Sequence, residues 1–206
     1  MLPLETLLTF FGVALVMAVA PGPDNIFVLT QSALYGAKAG LVTTLGLLTG
    51  LCAHTAAVAL GVAALFHASP LAFTTLKFVG AAYLLYMAYG AFRSGAARAF
   101  MDKNSFPGYP ALYRRGVILN TTNPKVTLFF LALLPQFAIP SLGKMPLQIM
   151  TLGLLFQLST LIVFGLISLL GGELARRFNN APRGQILLNR AAGCIFVALA
   201  AMLILP

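Results

Sequence analysis

The sequence predicts an all-α polytopic membrane protein, with six transmembrane helices arranged as two inverted three-helix repeats and helices 1 and 4 broken at proline motifs. Three observations predict it. The 206 residues are 60% hydrophobic and only 8% charged, too little charge for a soluble domain of this length. Apolar windows long enough to span a bilayer fall near 5–34, 41–66, 70–92, 115–137, 147–171 and 186–205. Two of those windows are interrupted by a proline beside a charge, in Ala20-Pro21-Gly22-Pro23-Asp24-Asn25 and in Asn120-Thr121-Thr122-Asn123-Pro124-Lys125. A helix breaker and a charge at membrane depth are costly, so together they mark a ligand or ion site.

The first window could be mistaken for a cleaved signal, since Ala18-Val19-Ala20 mimics a small-residue cleavage site. Its start carries Glu5 and no Lys or Arg, a proline follows the apparent cut, and the apolar run resumes at Ile26. It reads as the first membrane helix. Helix 2 carries Thr44-Leu45-Gly46-Leu47-Leu48, matched in helix 5 by Thr151-Leu152-Gly153-Leu154-Leu155. Pro23-Asp24 likewise matches Pro124-Lys125, and Gly80 of helix 3 pairs with Gly193 of helix 6. These landmarks recur in one order, which predicts a single transmembrane domain over 1–206, with repeat 1 about 1–93 and repeat 2 about 114–206. Three helices per unit force the second copy to insert upside down. Between the repeats, 94–113 reads as a solvated cytoplasmic linker in which Pro107-Gly108 and Pro110 preclude a long helix.

The net charge of +9 belongs to topology rather than to nucleic acid. Lys38, the group Arg93, Arg98, Lys103, Arg114 and Arg115, and the group Arg176, Arg177, Arg183 and Arg190 fall in connections on one side of a six-helix chain. The positive-inside rule puts that side in the cytoplasm and both termini outside. No aromatic–basic pattern for base stacking accompanies them.

Proline removes a backbone donor and clashes with the preceding turn, so Pro21-Gly22-Pro23 should split helix 1. Asp24 and Asn25 then stand at the start of its second half, where Asx residues cap free N–H groups. In helix 4, Asn123 is a good N-cap and Pro124 suits the first helical position. Exposed half-helix N-termini favour a carboxylate, and an amino acid carries a carboxylate and an ammonium. Asp24 could hold the ammonium or a proton. Lys125 could hold the carboxylate, or simply pair with Asp24 and tie the halves together. Pro21, Gly22, Pro23 and Pro124 shape the breaks. Asn120, His54 and Gln157 are weaker candidates; His54 titrates near neutrality and could relay protons, or be a satisfied buried histidine. Tyr83, Tyr86 and Tyr89 read as packing or interface residues rather than ligands. Cys52 and Cys194 lack any C-x-x-C or metal-ligand spacing and are expected to be buried small hydrophobes. Gly36/Gly40 and Gly46/Gly50 allow close helix contact, within one chain or in a homodimer.

At these residues the chain resembles the LysE/RhtB superfamily of bacterial amino-acid exporters. The resemblance rests on Pro-Gly-Pro-Asp at 21–24 with Gly36 and Gly40 beyond it, and on Asn-x-x-Asn-Pro-Lys at 120–125 followed by Leu128-Phe129-Phe130 and Pro135-Gln136-Phe137. Gly80-Ala81-Ala82-Tyr83-Leu84 is similar to the family's third helix. The resemblance covers essentially the whole chain. It implies efflux across the bacterial inner membrane by exchange with protons, of substrates such as lysine, arginine, threonine, homoserine, its lactone or leucine. The family's key positions fall here on Asp24, Asn123 and Lys125. Asn25 departs from the pattern, because an apolar residue is commoner after the acid.

The leading expectation is therefore a proton-coupled exporter of neutral amino acids or their derivatives, with no cofactor and no enzymatic activity. A membrane thiol-redox protein is a second class, set back by cysteines at positions the repeat does not relate. A metal-cation exporter would need more acidic or His ligands than Asp24 and His54. A helper subunit with no transport of its own would not need the two charges at mid-membrane. No G-x-x-x-x-G-K-[ST] motif is present to use ATP.

Overall fold

Apolar composition at helical length, interrupted by prolines at fixed places, produces a chain of helices whose joints are those prolines. The computed structural model describes residues 2–68, 70–94, 106–180 and 182–204, and among them there is no strand. The helices are α1 (Leu4–Val19), α2 (Pro23–Tyr35), α3 (Ala37–Ala68), α4 (Pro70–Arg93), α5 (Tyr109–Thr121), α6 (Pro124–Leu128), α7 (Met145–Asn180) and α8 (Pro182–Ile204). Beyond α6 the helix widens into a π-turn at Phe129–Leu133 and then tightens into a 3₁₀ turn at Leu134–Phe137. Pro23, Pro110 and Pro124 each stand in the first turn of a helix, where a missing N–H costs nothing.

By length and composition, three helices can cross a membrane: Ala37–Gly61, Met145–Ala175 and Arg183–Ile204. Two bent pairs pass the same test together: Leu4–Val19 with Pro23–Tyr35, bent by 60°, and Tyr109–Thr121 with Pro124–Phe137, bent by 47°. These are the two helices in which the sequence predicts breaks. The 24 residues of α4 reach about 36 Å. That is long enough to span, but Lys77, three tyrosines and Arg93 dilute its apolarity and it is not among those spans.

α3 and α7 pack along each other, as do α4 and α8. α5 lies on α3, α1 on α7, and α2 between α3 and α7. At the α3–α5 crossing the backbones touch: a side chain on Gly46 would come within 2.2 Å of the Tyr113 carbonyl, and one on Gly116 within 2.5 Å of the Thr43 carbonyl. Gly80 of α4 admits Ala132 of the π-turn in the same way, at 2.3 Å. A continuous core joins Phe10 of α1, Phe129 and Phe130, Phe137, and Phe156 of α7. Its rings sit 5.1 Å (Phe10–Phe137), 4.8 Å (Phe129–Phe156) and 5.2 Å (Phe130–Phe156) apart.

Two expectations need correction. The linker expected to run to 113 ends earlier, because α5 starts at Tyr109: Pro110 in a first turn starts a helix rather than preventing one. Residues 95–105, with Arg98 and Lys103, lie outside the described residues, as do the side chains of Arg176 and Arg177. Cys52 and Cys194 are exposed, not buried. An apolar residue on a helix that can face lipid needs no place in the core. Tyr86 and Tyr89 also face outward, and the Tyr89 hydroxyl accepts from Arg93 Nη1 at 2.5 Å.

Candidate functional site

The two breaks meet. Between α1 and α2 the chain has no side-chain cap, since the N-cap residue is Gly22. Between α5 and α6 the N-cap is Asn123, whose Oδ1 accepts from the Lys125 backbone N–H at 3.0 Å. That expected cap is present. The caps expected of Asp24 and Asn25 are absent: both side chains turn away from the α2 N-terminus. Asn25 Nδ2 reaches back to donate to the Ala18 carbonyl at the end of α1, 2.7 Å away. Asp24 reaches across to the other break, where Asn123 Nδ2 donates to its Oδ1 at 2.9 Å and Asn120 Nδ2 to its Oδ2 at 3.1 Å.

Lys125 returns the exchange. Its Nζ donates to the Ala20 carbonyl at 2.7 Å, one of the backbone acceptors that the first break leaves open. Asp24 and Lys125 are 5% and 9% exposed, yet among the described residues no ion pair joins them. The direct pairing held open from the sequence is not formed. Each charge is instead met by polar groups of the opposite break, as burial of an ion requires. A bilayer-depth break is tolerated only when its backbone groups are satisfied inside protein, and this cross-bracing does that.

His54 of α3 is half-buried beside the cluster, with Nε2 3.2 Å from the Asn120 carbonyl and its ring 5.7 Å from Phe130. Asn120, a weaker candidate from the sequence, stands at the centre and is 1% exposed. Among the described residues its Oδ1 has no hydrogen-bond partner. Gln157 does not join the cluster; its Oε1 lies 3.6 Å from Cys52 Sγ instead. Sequence reasoning missed Gly50, read only as a general contact glycine. A side chain there would come within 2.7 Å of Asn120 Oδ1, so Gly50 makes the room that Asn120 occupies. It also missed Phe156, Thr160 and Phe164 of α7, which wall the small pocket holding Asp24 and Lys125. Nothing in their spacing separates them from ordinary packing residues.

A vestibule of about 490 Å³ leads to this pocket. It lies between α2, α4, the late part of α7 and the early part of α8, and its lining includes Ser94 and Asn189 as well as Pro21, Gly22 and Pro23. Most of its wall is aliphatic, including Ile26, Leu29, Ile167 and Leu188. Gly22 and Asn25 belong to both spaces, forming the partition between vestibule and pocket. Phe156 and Val126 belong both to the pocket wall and to the core of phenylalanines.

The LysE type translocator model matches residues 15–206 of the chain. Over 191 residues the chain is 31% identical to an uncharacterized membrane protein of Vibrio cholerae, covering 92% of each chain. It is 32% identical to the homoserine/homoserine lactone efflux protein of Salmonella typhimurium, covering 91% of this chain and 90% of that protein. It is 31% identical over 183 residues to the uncharacterized membrane protein PA4757 of Pseudomonas aeruginosa, covering 86% of this chain and 84% of that one. No solved structure matches.

Proposed function

The chain belongs to the LysE type translocator family, a multi-pass membrane transporter rather than an enzyme, and on that premise we propose that it exports neutral amino acids or their derivatives in exchange for protons. One observation carries the reading: a buried acid and a buried base, each held by the other's helix break, line a small pocket that shares Gly22 and Asn25 with a larger vestibule. Lys125 supplies a cation for a substrate carboxylate, and Asp24 a group that can take up and release a proton. The aliphatic vestibule accepts the rest of the molecule. Threonine, homoserine and leucine fit this class, and the name of the Salmonella relative supports a homoserine-like compound.

Ser94 and Asn189 of the vestibule are next in sequence to Arg93 and Arg190. On the positive-inside rule those arginines are cytoplasmic, which supports a vestibule facing the cytoplasm in the inner membrane, with both termini outside. Counting α4 as a span gives six. The packing supports two inverted units: α3 meets its counterpart α7, α4 meets α8, and the first half of each broken helix lies on the second helix of the other unit. One proton moving inward contributes about 2.3 kcal/mol per 100 mV of membrane potential.

The test is export from proteoliposomes loaded with a mixture of labelled amino acids under an imposed proton gradient. Loss of one or a few neutral amino acids that stops when a protonophore is added is the expected result. Loss that ignores the gradient, or no loss at all, counts against the proposal.

A further inference from the structure

A binding pocket for a zwitterion needs an acceptor for the ammonium, and Asp24 is badly placed to be it. Each of its carboxylate oxygens already accepts an asparagine amide and is aimed at the second break, and no part of Asp24 lines the vestibule. Asn25 is better placed. Its Nδ2 is fixed to the Ala18 carbonyl, which determines the direction of the amide and turns Oδ1 the other way. Among the described residues, that oxygen accepts no hydrogen bond. A methyl group placed on Gly22 would lie 3.7 Å from Asn25 Oδ1 and 3.5 Å from Lys125 Nζ, so an acceptor and a cation face one point beside the Gly22 backbone. Lys125 has given one of its three N–H groups to Ala20 and keeps two. Gly22 has no side chain to occupy that point, and Gly22 and Asn25 both open onto the vestibule.

We infer that Asn25 Oδ1 is the selectivity acceptor for the substrate ammonium, at a doorway beside Gly22 where Lys125 takes the carboxylate of the same molecule. An α-amino acid carries both groups on one carbon, as a single point of approach demands. The residue that departs from the family pattern is thus assigned the task of telling an amino acid from its deaminated acid. Asp24 is left free of the substrate and available to the proton. This rests on the export reading above.

The experiment measures inhibition of labelled amino-acid efflux from proteoliposomes by two unlabelled compounds, the amino acid itself and the corresponding 2-hydroxy acid. It compares wild type, Asn25→Leu and Asn25→Asp. The wild type should prefer the amine by roughly tenfold or more, the size of one hydrogen bond to a charged group. Asn25→Leu should lose that preference while its inhibition by the hydroxy acid stays put. Asn25→Asp gives up the bond to Ala18 but retains an acceptor, and should keep the preference. If both variants discriminate as wild type does, the assignment is wrong. If Asn25→Asp loses the preference along with Asn25→Leu, the residue matters only as a brace for α1, which also overturns it. Should Asn25→Leu fail to fold, Asn25→Ala takes its place, with the same loss of preference expected and a wild-type preference overturning the assignment. A wild type that transports no amino acid would instead sink the export reading.

Discussion

The two helix breaks are built from similar residues and solved in opposite ways. The first backbone turn closes alike in both, Ile26 N–H on the Gly22 carbonyl at 3.1 Å and Thr127 N–H on the Asn123 carbonyl at 3.0 Å, but only the second break caps its own helix, through Asn123. The first has a bare glycine at its N-cap and relies on the second for Lys125, which fills the Ala20 carbonyl. In return it lends a carboxylate that satisfies two asparagine amides. A break that caps itself can be rigid. A break without a cap, beside a vestibule, is the one whose geometry can change when a substrate competes for Lys125. On the export reading proposed above, the first break is expected to move and the second to act as its anchor.

Removing the shared group should do the most damage. Lys125→Met takes away the cation and strands the Ala20 carbonyl, so efflux should fall roughly tenfold to a hundredfold, the worth of a hydrogen bond to a charged group. Retained activity would mean that the breaks do not depend on each other. Asn123→Ala attacks the anchor, and loss of the cap alone should cost about 1 kcal/mol, read as a lower unfolding temperature in detergent. Gly22→Ala attacks the uncapped break, where there is no side-chain bond to lose. Its φ of −166° is extended and suits any residue, and the added methyl meets Lys125 Nζ at 3.5 Å, an ordinary contact. Stability should stay within about 0.5 kcal/mol while KM for efflux rises, because the methyl sits in the doorway. Equal destabilisation by Asn123→Ala and Gly22→Ala would erase the distinction between anchor and moving part. The double variant Cys52→Ser, Cys194→Ser touches neither break and should change neither efflux nor unfolding temperature measurably.

Much of this was legible in the chain. Prolines beside charges gave the breaks, Asn123-Pro124 gave a cap and a first helical position, and the apolar windows fall within a few residues of the helices, apart from the ends that extend further. The partners of Asp24 and Asn25 were not legible. Local rules assign an Asx side chain to the nearest free N–H, but here tertiary neighbours win: two amides from α5–α6 capture Asp24, and the end of α1 captures Asn25. The inward faces of the helices were equally hidden. In a soluble helix the polar face marks the outside, whereas here Leu60 and Leu169 are as exposed as any surface residue and Cys52 and Cys194 join them. Asn120 gained its central place through Gly50, a contact that no spacing in one strand of sequence reveals.

The central claim is that Asp24 couples protons to export. The direct test is a pH-sensitive dye sealed inside proteoliposomes, with substrate driven outward through wild type or Asp24→Asn. Wild type should acidify the lumen in step with substrate efflux, and Asp24→Asn should show no substrate-dependent acidification. Substrate-driven proton entry that is equal in the two proteins, or absent from an active wild type, would contradict the claim.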